Sequence, residues 1–262
     1  MLTPTTFNPD ESRVDSIEIY CKNTEQTVCV PVGATLEAIY EAAGRPLRYP
    51  PLGARVNKRV EGLTYRCWNP KDVEFVDYTH PSGYRIYLRS LCFILVKAVY
   101  DLYPSRPFSL EHPVSKGLYC AFEHREPMTE DDVRRIKQRM QEIIGEDRPF
   151  VRYVVRTEDA LATFRERGMN DRALLIETAG MAYTTYYGLN GYIDYFYGCL
   201  TPSSGRIPLF DLIPYADGVL LQLPQREDPT RLYPLVPQQK MFNAYKQHLQ
   251  LQRTVGVNYV GD

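Results

Sequence analysis

Histidine and cysteine are the residues most suited to metal binding or nucleophilic chemistry, and both are scattered along this chain. The four histidines and six cysteines form no Cys-x-x-Cys pair. His112 precedes Lys116 by four residues, which resembles a His-x-x-x-His pair without its second imidazole, but a partly exposed hairpin histidine is the simpler interpretation. Cys199 has no nearby histidine or helix N-terminus to activate it, so we interpret it as a structural thiol.

A helix over residues 84–104 is the strongest structural prediction. Apolar residues recur there at offsets of three, four and seven, which is typical of a buried helix, and Pro104 ends the pattern. Arg89, Phe93 and Lys97 are four residues apart and therefore share one face. Arg89 could bind an anion on that face through its planar guanidinium.

Composition indicates an ordinary globular protein of about two domains for its 262 residues. The 31 Lys+Arg and 32 Asp+Glu give a net charge of −1, so there is no bulk basic excess of the kind that marks a dedicated nucleic-acid binder. The longest apolar run, 91–96, is far shorter than the ~18 residues of a membrane span, and the N-terminus has no signal pattern. We expect a soluble, cytoplasmic protein with no membrane partner.

The first part of the chain predicts a small α+β domain over 15–79, after a flexible arm over 1–14. Its order is strand, strand, helix, then three strands. Four motifs resemble the TGS domain, a ubiquitin-like β-grasp module: PVGATL at 31–36, ARVN at 54–57, VEGL at 60–63 and DVEF at 72–75. The resemblance implies a ligand-binding or regulatory role that sometimes involves RNA.

The next part, 83–223, resembles the second additional domain of threonyl-tRNA synthetase, which is shared with alanyl-tRNA synthetase. The resemblance is carried by GYRIYLRSLCFILVKAVYDLYP at 83–104, HPVSKGLYC at 112–120, TEDDVRRIKQRMQEII at 129–144, DALATFRERG at 159–168 and DYFYGCLTP at 194–202. It implies an α+β fold of the kind that removes mischarged amino acids from tRNA. Residues 224–262 are expected to form a proline-rich linker and a C-terminal helix.

The chemistry of that family is missing from the matching positions. In the family, two histidines on the leading helix and a cysteine and a histidine on a later strand serve a zinc ion or an activated water. The corresponding residues here are Arg89, Phe93, Phe196 and Leu200. Phenylalanine and leucine neither bind a metal nor move a proton. The resemblance therefore implies a retained scaffold with no catalytic residue and no metal.

The former cleft is a candidate pocket. Its predicted residues are Arg89, Phe93, Phe196, Tyr197 and Leu200, with Lys97, His112, Lys116 and Cys199 as weaker candidates. In such a pocket the arginine would bind an anion and the aromatic rings would stack on a base. We favour the alternative in which the apolar residues plug the cleft, because burying them stabilises the fold without a ligand.

Three known settings combine these two domains: threonyl-tRNA synthetase, a freestanding editing protein, and a bacterial uridine or nucleoside kinase. The lost site, the strings KGLYC and HPSGYRIYLRSLCF, and the ending TVGVNYVGD favour the kinase. No glycine precedes a lysine, so the chain has no P-loop. We interpret it as a non-catalytic regulatory region whose partner is a kinase domain of the same polypeptide. A nucleoside or nucleotide is a candidate ligand; ATP and Mg²⁺ are expected only for that kinase domain, and no cofactor for this chain.

Two alternatives stay open. One is a deacylase on mischarged tRNA with a rearranged site, sensitive to substitution at Arg89 or His112. The other is an RNA-binding module, with weak support from basic side chains at Arg55, Lys58, Arg59, Arg134, Arg135, Lys137 and Arg139. Such runs are more often solvated faces, so salt-dependent RNA binding would be required.

Overall fold

Groups of strands are separated by helices along the chain in a computed structural model that describes residues 15–122, 127–236 and 238–254. The helices are α1 Leu36–Ala42, α2 Pro81–Leu102, α3 Glu130–Gly145, α4 Thr157–Glu166, α5 Asn170–Thr178 and α6 Gln239–Thr254. The strands are β1 Ser16–Cys21, β2 Gln26–Pro31, β3 Ala34–Thr35, β4 Gly53–Val56, β5 Arg59–Glu61, β6 Arg66–Cys67, β7 Lys71–Val76, β8 Phe108–Val114, β9 Gly117–Phe122, β10 Val151–Arg156, β11 Tyr183–Leu189, β12 Tyr192–Asp194, β13 Asp211–Tyr215 and β14 Gly218–Gln222. This mixture agrees with the predicted α+β class.

The chain divides into two compact units. Unit 1 holds the described residues up to Ile94 together with Ile143–Ile207, and unit 2 holds Leu95–Glu142 with the described residues from Pro208 onward. The domain limits expected at residues 79, 83 and 223 stay a prediction. Within the described residues, no helix is long and apolar enough to cross a membrane.

The N-terminal part of unit 1 is a five-stranded sheet in the order β2-β1-β7-β4-β5, with β1 parallel to β7 and the other pairs antiparallel. Alternate residues of β1 are buried, as its sequence predicts. Helix α1 packs on this sheet through Leu36 and Ile39, and the Tyr40 ring meets Phe75 edge-on at 5.0 Å. These side chains belong to the apolar core of this sheet.

One predicted strand of this part, over 63–68, is confirmed only at residues 66–67. The structure has β5 and the two-residue β6 in this region. Asn57 and Lys58 both have positive φ, 45° and 73°, which makes a tight turn that returns β4 directly into β5. The chain therefore reverses earlier than the apolar pattern alone indicates.

Helix α2 confirms the predicted helix and begins three residues earlier, at Pro81. A proline is tolerated there because the first helical turn does not use its amide hydrogen. Ser90 is fully buried; its hydroxyl donates to the Ile86 carbonyl at 2.8 Å and accepts from the Thr201 amide at 2.8 Å. This pair of bonds fixes the segment after β12 to the helix.

A three-stranded antiparallel sheet in the order β10-β11-β12 forms the rest of unit 1 with α4 and α5. The predicted strand over 192–200 is wrong after Asp194. The Asp194 carboxylate accepts hydrogen bonds from the Tyr192 hydroxyl at 2.9 Å and the Tyr195 amide at 2.7 Å, and it pairs with Arg172 at 3.3 Å. These bonds turn the backbone out of the sheet. The predicted helix cap at Thr157 is also wrong, because Arg156 holds the N-cap position of α4 without a side-chain bond.

Unit 2 contains a four-stranded antiparallel sheet in the order β13-β14-β9-β8. The predicted hairpin over 108–122 is confirmed, as is the Thr129 cap, whose hydroxyl accepts from the Asp132 amide at 3.1 Å. The strand predicted over 207–212 is displaced to β13, after a short 3₁₀ turn. The predicted flexible arm over 1–14 lies outside the described residues, as does the end of the predicted C-terminal segment over 255–262.

Candidate anion-binding cleft

A cleft of about 410 Å³ opens within unit 1. Its walls come from the end of β5, one face of α2, strands β10 and β11, and the irregular segment that follows β12. The polar lining includes Glu61, Ser82, Arg85, Arg89, Arg152, Thr185, Tyr187 and Cys199. A cavity of this size suits a ligand of the dimensions of a nucleoside with a small substituent.

The charge of this cleft is positive. Three arginines and one glutamate line it, which gives +2 from these four side chains. Guanidinium groups bind carboxylate and phosphate oxygens through two parallel hydrogen bonds and stay charged at every physiological pH. The cleft is therefore suited to an anionic ligand.

Arg89 is held against the backbone of Gly198. A Cβ added at Gly198 would lie 2.8 Å from Arg89 Nη1 and 2.9 Å from its Cζ, and Gly198 has a φ of +102°. Only glycine fits both conditions, because other residues rarely adopt this φ and their side chains would displace the guanidinium. Within the described part of the chain, Arg89 makes no ion pair or hydrogen bond, so its donors are available.

Tyr187 and Cys199 are protonated groups in the same cleft. Burial, helped by the neighbouring Cys199, raises the pKa of Tyr187 to about 12, although Arg152, which hydrogen-bonds to its hydroxyl, opposes the shift. Burial raises the pKa of the Cys199 thiol to about 11, against the opposing charge of Arg89. A thiol that stays protonated is a poor nucleophile and a poor metal ligand.

Glu61 is a half-buried carboxylate that sequence reasoning missed. Burial raises its pKa above 4.5, and Arg152 and Arg59 oppose that shift. The next residue, Gly62, packs closely: an added Cβ there would be 3.4 Å from the Cβ of Cys199. In the sequence, Glu61 belongs to the VEGL motif, which indicates a fold and no chemistry. Only the folded chain shows that it lies beside the cleft.

The predicted pocket residues separate into a surface group and an interior group. Arg89, Phe196 and Tyr197 line the cleft, and Tyr197 is 83% exposed. Phe93 has no exposed surface; its ring packs 5.4–5.6 Å from the rings of Phe150, Tyr192 and Phe196. Leu200 is also buried. The two interior side chains therefore fill the space beneath the cleft, which itself stays open.

Three of the weaker candidates lie in unit 2 and do not line the cleft. Lys97 is buried and donates to both carboxylate oxygens of Asp101, at 2.9 and 3.0 Å. His112 packs on Tyr245 with ring centroids 3.6 Å apart, and burial lowers its pKa. Lys116 is exposed in the β8–β9 turn with a φ of +62°. Among the described residues, no group of three or more histidine, cysteine or acidic side chains is placed to hold a metal ion.

The comparisons with known proteins find threonine–tRNA ligases. No family model matches the sequence. Similar curated proteins are threonine–tRNA ligases: that of Alkalilimnicola ehrlichii is 26% identical over 217 residues, 82% of this chain and 34% of the ligase. The ligase of Burkholderia lata is 30% identical over 200 residues, which are 76% of this chain and 32% of the ligase. The ligase of Thermobifida fusca is 34% identical over 151 residues, which are 58% of this chain and 22% of the ligase. The chain spans about a third or less of the length of these relatives. It is thus similar to one region of threonine–tRNA ligases.

These matches overturn the kinase interpretation. The prediction that this chain is the regulatory region of a uridine or nucleoside kinase is wrong. The prediction that its partner is a kinase domain of the same polypeptide is wrong as well. One of the strings that favoured a kinase, KGLYC, is explained by packing. A Cβ on Gly117 would lie 2.5 Å from the Leu221 carbonyl oxygen, so the glycine is needed for strand pairing. The loss of imidazoles from a scaffold likewise says nothing about which domain adjoins it.

Proposed function

We propose that this chain acts on aminoacyl-tRNA: the cleft binds the 3′ end of a charged tRNA and supports hydrolysis of the ester to a mismatched amino acid. The observation that carries the proposal is the set of three guanidiniums in one cleft, within a region similar to threonine–tRNA ligases. The RNA supplies phosphates for the arginines, and the terminal nucleoside with its amino acid matches the size of the cavity.

The arginines of the cleft differ from the basic surface residues that gave weak support for RNA binding. Several of those residues are already paired with carboxylates: Arg55 with Glu74 at 3.0 Å, Lys137 with Asp211 at 2.6 Å. Arg139 likewise pairs with Asp101 at 2.9 Å. Paired surface cations contribute little to an RNA site, because binding RNA would mean giving up the existing partner.

Part of the proposal concerns the N-terminal module. The five-stranded sheet with α1 is proposed to be a TGS-type β-grasp domain over 15–79, followed by the editing-like domain over 83–223 and a linker with its helix over 224–262. Support comes from the parallel pairing of β1 with β7 and from α1 packed across one face of the sheet. In this proposal the module forms one wall of the tRNA site rather than a separate binding surface.

Binding without hydrolysis is the second candidate, and a specific observation favours it. The interior phenylalanine Phe93 and Leu200 stand where the family carries imidazoles, and neither can accept a proton. On that alternative the cleft recognises a tRNA end and leaves the ester intact. The two candidates share the binding step and differ only in turnover.

The binding step is tested with labelled tRNA specific for threonine, in a filter-binding titration over a range of salt concentrations. Arg89→Ala and Arg152→Ala are each expected to weaken binding by roughly 10- to 150-fold. Each should also reduce the slope of log affinity against log salt concentration by roughly 0.7–0.9. Arg231→Ala is the matched control, because Arg231 is a highly exposed arginine that does not line the cleft. Equal affinities for all three variants would refute the cleft as the tRNA site.

A further inference from the structure

Glu61 stands out among the groups that line the cleft. It is the last residue of β5, and its neighbour Gly62 packs against the backbone and side chain of the 199–200 segment. Among the described residues, no hydrogen bond or ion pair engages its carboxylate, although three arginines line the same cleft. A half-buried carboxylate without a fixed partner is able to accept a proton from a ligand or a water.

We infer that Glu61, contributed by the N-terminal sheet, is the general base that activates the hydrolytic water in this cleft. The inference rests on the proposed function, since it assigns a residue to the reaction proposed above. It also means that the site combines β5 of the N-terminal sheet with α2, the strands β10 and β11, and the segment after β12. Neither the N-terminal sheet nor the β10–β12 sheet holds the base and the arginines together.

Elimination among the lining side chains supports this assignment. Phe196, at the position of the family's cysteine, has no proton acceptor. Tyr187 and the Cys199 thiol are kept protonated by burial, so neither is a base near neutral pH. Arginine does not lose its proton in proteins. Of the groups discussed, only Glu61 ionises in the range where it can act as a base.

The reaction balances with this one residue. The carboxylate of Glu61 removes a proton from water as the water oxygen forms a bond to the ester carbon. The resulting oxyanion is stabilised by the cationic groups of the cleft, of which Arg89 and Arg152 carry free or partly free donors. The bond between the carbonyl carbon and the ribose oxygen then breaks, and Glu61 returns its proton to that oxygen. The products are a free amino acid and a tRNA with an intact terminal hydroxyl.

The electrostatics of the cleft suit this role. Desolvation raises the pKa of Glu61 and Arg152 limits the rise. A carboxylate whose pKa lies above that of a free glutamate is a stronger base. The nearby guanidinium groups keep their protons and cannot act as bases. Their role is to stabilise the negative charge that develops in the transition state.

The test follows release of radiolabelled serine or threonine from charged tRNA by the purified full chain, together with tRNA affinity. Glu61→Gln is expected to lower the single-turnover rate by roughly 100-fold or more while affinity stays equal or improves slightly, since a negative charge is removed. Glu61→Asp is expected to retain part of the rate. Glu18→Gln, the same change at an exposed glutamate of β1 outside this cleft, is expected to behave as the wild type.

A pH profile adds a readout that a merely structural role would not move. The wild-type rate should rise with pH and level off above the pKa of Glu61, and that rise should be absent in Glu61→Gln. Hydrolysis by Glu61→Gln at the wild-type rate would overturn the inference. So would a wild type that binds tRNA and never exceeds spontaneous hydrolysis, in which case the binding part of the proposed function stands. Failure of the wild type to bind tRNA would overturn both.

Discussion

Replacement of Gly198 by alanine is the sharpest test of how the cleft is built. The residue has a φ of +102°, and its added Cβ would lie 2.8 Å from Arg89 Nη1. An alanine at this position should change both the folding stability and the position of Arg89. The backbone strain of an alanine at this φ costs on the order of 1–2 kcal/mol of folding stability. The methyl group also displaces the guanidinium, because the flexible end of the arginine moves more easily than the backbone.

Loss of the Arg89 position should then weaken tRNA binding. A hydrogen bond between charged groups contributes about 1.5–3 kcal/mol, which corresponds to roughly 10- to 150-fold in the dissociation constant. Urea unfolding measures the first effect, and filter binding with tRNA measures the second. Both are needed, since a destabilised protein can still bind normally when it is folded.

Gly168→Ala separates the two effects. Gly168 also has a positive φ, +73°, and an added Cβ there would meet nothing within 4 Å. This control should lose a similar amount of stability and bind tRNA as the wild type does. If Gly198→Ala and Gly168→Ala bind tRNA equally well, the position of the Arg89 guanidinium against Gly198 has no role in binding and the reasoning is refuted.

Three further predictions concern groups around and outside the cleft. Asp194→Asn should lower the free energy of unfolding by about 3 kcal/mol in urea titrations, since it leaves Arg172 without a buried partner; a loss below ~1 kcal/mol would contradict this. Alkylation of Cys199 should be slow at pH 8 and rise about tenfold per pH unit toward its pKa of about 11, whereas exposed Cys29 should react first by mass spectrometry; equal rates would count against it. The folded-state pKa of His112 is lowered, so the unfolded chain binds its proton more readily and stability should fall as pH drops through 6.5. His112→Phe should flatten that part of the stability–pH curve, and an unchanged curve would show that another group is responsible.

Elements dominated by local patterns were predictable from the sequence. Helix α2 followed from apolar periodicity and a terminal proline, and Thr129 was recognisable as a cap because the group it binds is only three residues away. The segment after Asp194 was not, because its course is decided by a carboxylate that turns the chain and by Ser90, a residue of a distant helix. The aromatic residues of that segment predict a strand because the sequence does not reveal these bonds.

The candidate site was predicted only in part for the same reason. Arg89 was found because its helix aligned it with a known scaffold position. Glu61 and Arg152 were missed, since each belongs to a strand whose own sequence gives no sign that the other strand lies near. The predicted function is wrong for a different reason: the four substituted positions describe the chemistry of the cleft and carry no information about a neighbouring domain.

The packing of Gly62 on Cys199 has a practical consequence for dissecting this protein. A fragment that begins at residue 80, after the predicted domain border, would keep the three arginines of the cleft. It would lack the wall formed by Val60 and Glu61. Such a piece would expose the thiol of Cys199 to solvent and would report on a different cavity from the one in the intact chain. Meaningful biochemistry on the second half therefore begins with the first half still attached.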